Sequence, residues 1–190
     1  MLLLGRLLLS RLTPATALSS WWPKAFARYL RGLGPDKLQP FAEEAARAVA
    51  AGVRPQMREA VASERDRGAE LWLVSATVDL LADAVATALG FDACVATRLG
   101  TTQGRYDGTL DGPVCRSSEK LRRVQARLGD LGLDADWQAC SYYADGYEDL
   151  PLLEAVGNPV AVRPDERLFA VATARGYPVV GPGRGHRAGG

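Results

Sequence analysis

The sequence has 190 residues, 47% of them hydrophobic, and 23 Lys and Arg set against 22 Asp and Glu leave a net charge of +1. That length and apolar content can bury the core of one α/β domain with a small helical addition. Near-neutral charge excludes nucleic acid as a main partner, since binding a phosphate backbone calls for a basic excess, and a single histidine, His186, excludes Ser-His triads and histidine-rich zinc sites.

Residues 1–35 contain Arg6, Arg11, Lys24, Arg28 and Arg31 and no acidic residue. The opening Met1-Leu-Leu-Leu-Gly-Arg-Leu-Leu-Leu-Ser-Arg-Leu is too short and too charged to span a bilayer, so no stable membrane span is expected. It also lacks the basic start and the small-residue cleavage site of a secretory signal. It reads as a helix whose apolar face, continued by Trp21, Trp22, Phe26 and Tyr29, covers a site mouth or a partner. Helical patterns follow at 15–31, at 36–51 after Gly34-Pro35, and at 55–67 from Pro55. Strands then alternate with helices: strand 70–75, helix 78–89, strand 93–98, a hairpin at 104–112, helix 117–129, strand 138–144, helix 149–156, strand 159–162, helix 165–175 and strand 177–180. Such alternation predicts βαβ units and a parallel sheet. Cys94, Cys115 and Cys140 are odd in number and lack metal-ligand spacing, which predicts reduced thiols in a cytoplasmic protein. The Gly-rich tail at 182–190 is expected to be disordered.

Three places carry chemistry. Ser141-Tyr-Tyr-Ala-Asp145-Gly-Tyr-Glu-Asp149 sets two carboxylates four apart after an apolar strand, at the sheet edge where open α/β folds bind ligands. Short acidic side chains there suit Mg²⁺, which takes one or two protein carboxylates and fills its other positions with water and phosphate. Asp-Gly is equally an ordinary turn, and Asp149 before Leu-Pro-Leu-Leu is equally a helix cap. Ser75 closes the run Leu71-Trp-Leu-Val-Ser beside a helix start, a position for a phosphate oxygen or for a turn hydroxyl satisfied by its own backbone. Lys120, in Arg116-Ser-Ser-Glu-Lys-Leu-Arg-Arg-Val, opens a later helix, where a lysine is ordinarily solvated.

In that order and spacing, Ser75, Lys120 and the D-G-x-x-D of Asp145 to Asp149 resemble motifs two, three and four of the haloacid dehalogenase superfamily, in its phosphoserine-phosphatase-like branch. The stretch from Leu150-Pro-Leu-Leu-Glu to Arg163-Pro-Asp165 and the hairpin around Gly104-Arg-Tyr-Asp-Gly-Thr are similar to that branch as well. The resemblance implies a Rossmann-like, three-layer α/β fold with a parallel sheet and an N-terminal helical cap. Domains at 1–60 (cap), 61–181 (core) and 182–190 (tail) follow from it. It also implies Mg²⁺-dependent hydrolysis of a small phosphomonoester through an aspartyl-phosphate. Ser75 and Ala76 would hold phosphoryl oxygens, Lys120 would balance charge as a catalytic residue, and Asp145 with Asp149 would bind the metal.

One departure stands out. The family's nucleophile lies in a D-x-D-G-T motif closing the first strand, and the only aspartates ahead of Ser75 are Asp36 and Asp66, neither of which follows an apolar strand. Asp107-Gly-Thr-Leu spells part of the motif, but it falls between the second and third motifs and carries Arg105 where the nucleophile belongs. The first strand is therefore expected to be missing, as in an incomplete product, and the chain to be inactive. A non-catalytic phosphate- or partner-binding remnant is the alternative.

Overall fold

The computed structural model describes residues 21–182 and the backbone of residues 2–5. Arg6, Arg11, the first part of the helix expected at 15–31, and His186 in the tail lie outside the described residues.

Among the described residues, six strands form one sheet: β1 (Leu2–Gly5), β2 (Leu71–Val78), β3 (Ala93–Thr97), β6 (Ser141–Ala144), β7 (Asn158–Val162) and β8 (Val179–Val180). Their order is β3-β2-β1-β6-β7-β8, and every pairing is parallel. Between β3 and β6 the chain makes a separate antiparallel hairpin of β4 (Leu99–Thr102) and β5 (Arg105–Leu110). The helices are α1 (Trp22–Tyr29), α2 (Pro35–Ala51), α3 (Pro55–Asp66), α4 (Asp79–Ala88), α5 (Ser118–Asp130), α6 (Leu150–Ala155) and α7 (Glu166–Arg175). Among the described residues, no helix is long and apolar enough to cross a membrane.

The expectation of a missing first strand is corrected. Leu2–Gly5 lies in the middle of the sheet, paired with β2 through Leu4↔Leu73 and with β6 through Leu4↔Tyr143. Without it, the inner edges of β2 and β6 would face each other unpaired, which is costly for buried backbone groups. A run of three leucines and a glycine is short enough to read as helix or as buried strand, and central parallel strands are continuously apolar. The strand position is filled, but by residues that bring no aspartate.

The period-2 alternation of β2 and β6 sends their side chains into two helical layers. On one face, Trp72, Val74, Tyr142 and Ala144 pack with Val124 and Leu128 of α5, Leu152 and Leu153 of α6, and Leu168 and Ala172 of α7. On the other, Leu71 packs with Met57 of α3, and Leu73 packs with Ala42, Ala46 and Val49 of α2 and Val85 of α4. Helices α2 and α3 therefore share cores with the sheet. Glu64 of α3 also accepts hydrogen bonds from the Tyr143 hydroxyl at 3.1 Å and the Ser141 hydroxyl at 3.5 Å, which ties β6 to this layer. Burial and the neighbouring Glu64 push the Tyr143 phenol up to about 12.

Two local readings need revision. Strand β2 does not stop at Ser75; it runs to Val78, with a register shift against β3 between Val74 and Val78. The hairpin starts at Leu99 rather than 104, because its turn is Gln103-Gly104, both at positive φ (52° and 73°), as a two-residue hairpin turn requires. Asp107 sits on β5 and accepts hydrogen bonds from the Thr109 amide (2.8 Å) and hydroxyl (2.7 Å). The Asp-Gly-Thr of this hairpin is thus a local turn device, as its placement outside the motif order indicates. Cys115 and Cys140 are buried, Cys94 is half-buried, and all three are free thiols. Burial raises the Cys115 thiol to about 11.

Candidate active site

The strand register places Ser75 and Asp145 opposite each other across β1. Leu73 and Tyr143 both pair with Leu4, so Ser75 and Asp145 each lie two residues beyond a common rung. Adjacent strands are about 4.8 Å apart, which puts the two backbones roughly 10 Å from one another at the carboxyl edge. Both residues are buried, Ser75 at 2% exposure and Asp145 at 3%.

Ser75 falls in the irregular part of β2, where a bulge re-aims side chains. Its hydroxyl accepts the Thr77 N–H at 3.1 Å, so the turn-hydroxyl interaction weighed from the sequence is present. The bulge is pinned by a residue that sequence reasoning missed. Fully buried Thr97 donates its hydroxyl to the Ala76 carbonyl at 2.8 Å and accepts the Cys115 N–H at 3.0 Å. One hydroxyl thereby links the Ser75-Ala76 segment to the loop that leads into α5 and Lys120. Nothing in its sequence context, the ordinary end of a predicted strand, distinguishes it.

Lys120 is not solvated. It is 1% exposed, and its ammonium donates to Asp149 Oδ1 at 2.5 Å and to the Tyr142 hydroxyl at 3.3 Å. Asp149, also 1% exposed, forms no capping hydrogen bond to α6 through its side chain, and its Oδ2 is buried without a hydrogen-bond partner. The cap reading of Asp149 therefore gives way to an ion pair between α5 and the turn after β6. Beside it, Arg116, in the loop that leads into α5, forms a second ion pair with Glu148 of the same turn, with Arg116 Nε at 3.1 Å from Glu148 Oε2. Tyr142 was not singled out from the sequence; the alternation of a strand beginning near 138 gives only its face.

The structure thus joins Lys120 to Asp149 directly and sets Ser75 and Asp145 level on either side of β1. Among the described residues, no three His, Cys, Asp or Glu side chains cluster as a ready metal site. Asp36 and Asp66 are exposed on α2 and α3.

Asp79 stands at the start of α4. Its carboxylate accepts the Leu80 N–H at 2.9 Å and the Leu99 N–H at 3.2 Å, joining α4 to the hairpin. Burial raises its pKa above the ordinary carboxylate value, outweighing these backbone hydrogen bonds. Between the ordinary value and the raised one, the folded chain holds more protons than the unfolded chain, so stability falls as pH rises through that window. Below the window the group has no effect; above it the destabilisation is complete. Asp79→Asn, which keeps an acceptor, is expected to remove this part of the pH dependence. Urea midpoints measured as pH is raised from the acid range to neutrality would read it.

Comparison with known proteins places these features among relatives. A family model described as haloacid dehalogenase-like hydrolase matches residues 4–154. A phosphoserine phosphatase of Mycobacterium tuberculosis is 33% identical over 122 residues, covering 64% of this chain and 39% of that protein. The histidinol-phosphatase of Neisseria meningitidis is 32% identical over 130 residues, covering 67% of this chain and 59% of its own length. The chain therefore spans less than two thirds of either relative. A solved structure of a protein of unknown function from Bordetella pertussis superposes with a TM-score of 0.78 at 29% identity, over 92% of this chain and 79% of that one.

Proposed function

The chain belongs to the haloacid dehalogenase-like hydrolase family, and from that premise we propose that its carboxyl edge between β2 and β6 is a Mg²⁺-dependent phosphoryl site for a small phosphomonoester. The observation that supports this most directly is the level placement of Ser75 and Asp145 across β1, with Lys120 tied to Asp149. Ser75 and the Ala76 backbone would hold phosphoryl oxygens, and Lys120 would offset their charge. Asp145 and Asp149 fit a hard cation that keeps most of its positions for water and phosphate. Asp149 in particular has a buried oxygen with no hydrogen-bond partner. When bound, Mg²⁺ supplies charge neutralisation at the phosphoryl oxygens. The phosphatase names of the mycobacterial and neisserial relatives support a small phosphomonoester as the ligand class. Net charge near zero favours such a ligand over nucleic acid, and three free thiols favour the cytoplasm.

Hydrolysis through an aspartyl-phosphate needs a carboxylate to attack phosphorus at the end of the first strand. Here Leu2–Gly5 is followed by Arg6, and the first aspartate in the sequence is Asp36. The chain of this sequence is accordingly proposed to bind phosphate without turning over the ester. Isothermal titration with inorganic phosphate and Mg²⁺ is expected to show saturable, metal-dependent binding that weakens about tenfold in Ser75→Ala, the effect of one lost hydrogen bond to a charged group. Binding is expected to disappear in Asp145→Asn. Incubation with an aryl phosphate is expected to release no phenol above the buffer rate. Steady turnover abolished by Asp145→Asn would show that another group serves as nucleophile, and a chain with no Mg²⁺-dependent phosphate binding would remove the site altogether.

A further inference from the structure

We infer that Asp165 is a positioning residue for Asp145, holding the Asp145-Gly146-Tyr147 turn in the geometry a metal ligand needs; this rests on the phosphoryl-site reading above. Three contacts converge on this one residue. The Asp165 N–H donates to the Asp145 carbonyl at 2.9 Å, and Asp165 Oδ2 accepts the Tyr147 N–H at 2.9 Å. Asp165 Oδ1 accepts the Leu168 N–H at 2.8 Å and so caps α7, whose Leu168 is fully buried. The first two contacts bracket Gly146, an extended residue (φ −122°, ψ 141°) with the conformational freedom of glycine. Closing both sides of that glycine fixes the direction in which the Asp145 backbone leaves β6. The Arg167 guanidinium, in the first turn of α7, stacks on the Tyr147 ring at 3.9 Å from its centre and adds to the same junction.

The distal half of the turn is held from elsewhere, by Lys120 on Asp149 and Arg116 on Glu148. Asp165 on one side and Lys120 and Arg116 on the other therefore govern different carboxylates. The turn that delivers Asp165 also carries a non-glycine residue at positive φ, Arg163 at 43°, immediately before Pro164. Strain of this kind persists where the surrounding structure demands it. Partners that orient a metal ligand commonly matter almost as much as the ligand.

Two substitutions separate the brace from the cap. Asp165→Ser keeps an acceptor for Leu168 but is too short to reach Tyr147. Tyr147→Pro deletes the donor and leaves Asp165 intact; Gly146, at ψ 141°, tolerates a following proline. Mg²⁺ affinity by calorimetry is expected to fall roughly 10- to 100-fold in both variants, as for other partners of metal ligands. In Asp165→Ser, the Tyr147 amide is expected to exchange with solvent faster while the Leu168 amide stays protected. Unchanged Mg²⁺ affinity in both variants, with Tyr147 exchanging faster in Asp165→Ser, would reduce Asp165 to a helix cap and overturn the assignment. A wild-type chain that binds no Mg²⁺ would instead overturn the phosphoryl-site reading, and this role with it.

Discussion

Trp72→Ala is expected to destabilise the chain by about 3–5 kcal/mol, the range for emptying a fully buried aromatic site. Trp72 is 0% exposed at the start of β2, and its indole N–H donates to Glu70 at 2.8 Å. It belongs to the same packed cluster as Tyr142 of β6 and Val124 and Leu128 of α5. That cluster supports both halves of the candidate site, since β2 carries Ser75, β6 leads to Asp145 and α5 carries Lys120. A cavity there would loosen the spacing between the strand ends as well as lower stability. Against a typical total of about 5–15 kcal/mol, the loss is a large fraction. Trp72→Phe keeps most of the volume and gives up the indole hydrogen bond, so its expected cost is nearer 1 kcal/mol. Urea denaturation of both variants checks this. Equal midpoints for Trp72→Ala and wild type would mean that the cluster does not hold the strands together.

Most of the layered core was legible because its signals are repetitive. Apolar runs such as Leu71 to Val74, separated by amphipathic helices, leave few alternatives to a parallel sheet, and Gly90 and Gly176 mark helix ends. The start of the chain was not legible, because Leu2–Gly5 is too short to show any period and the leucines and arginines beyond it favour a helical reading. The bulge in β2 leaves no trace in the residue types of Ser75-Ala-Thr77, which end the expected strand three residues early. At the site, order and spacing brought out Ser75, Lys120, Asp145 and Asp149, but the partners that hold them are long-range. Thr97 acts on Ala76 from 21 residues away, and Tyr142 meets Lys120 across 22. Asp165 was recognisable as a helix start, yet its second oxygen reaches 18 residues back to Tyr147, a contact that no local pattern encodes.

Lys120→Met is expected to destabilise the chain by about 3–5 kcal/mol, the cost of leaving one member of a buried ion pair without its partner. The pair is almost completely enclosed, with both side chains 1% exposed and 2.5 Å between Nζ and Oδ1. Asp149 Oδ2 already lacks a hydrogen-bond partner, so removal of the ammonium leaves the carboxylate with little to offset its desolvation. The Tyr142 hydroxyl would lose its contact as well. The double variant Lys120→Met/Asp149→Leu replaces both charges with apolar groups, and buried pairs exchanged in this way are often neutral or up to about 1–4 kcal/mol more stable. Recovery in the double variant, read from urea midpoints, would show that the pair is held for a purpose other than stability. That purpose fits the proposed site, where an ammonium kept dry beside a carboxylate is ready for a phosphoryl group. The double variant is therefore expected to be as stable as the wild type and unable to bind inorganic phosphate with Mg²⁺. A double variant that binds phosphate normally would separate Lys120 and Asp149 from phosphate recognition and leave them a structural pair.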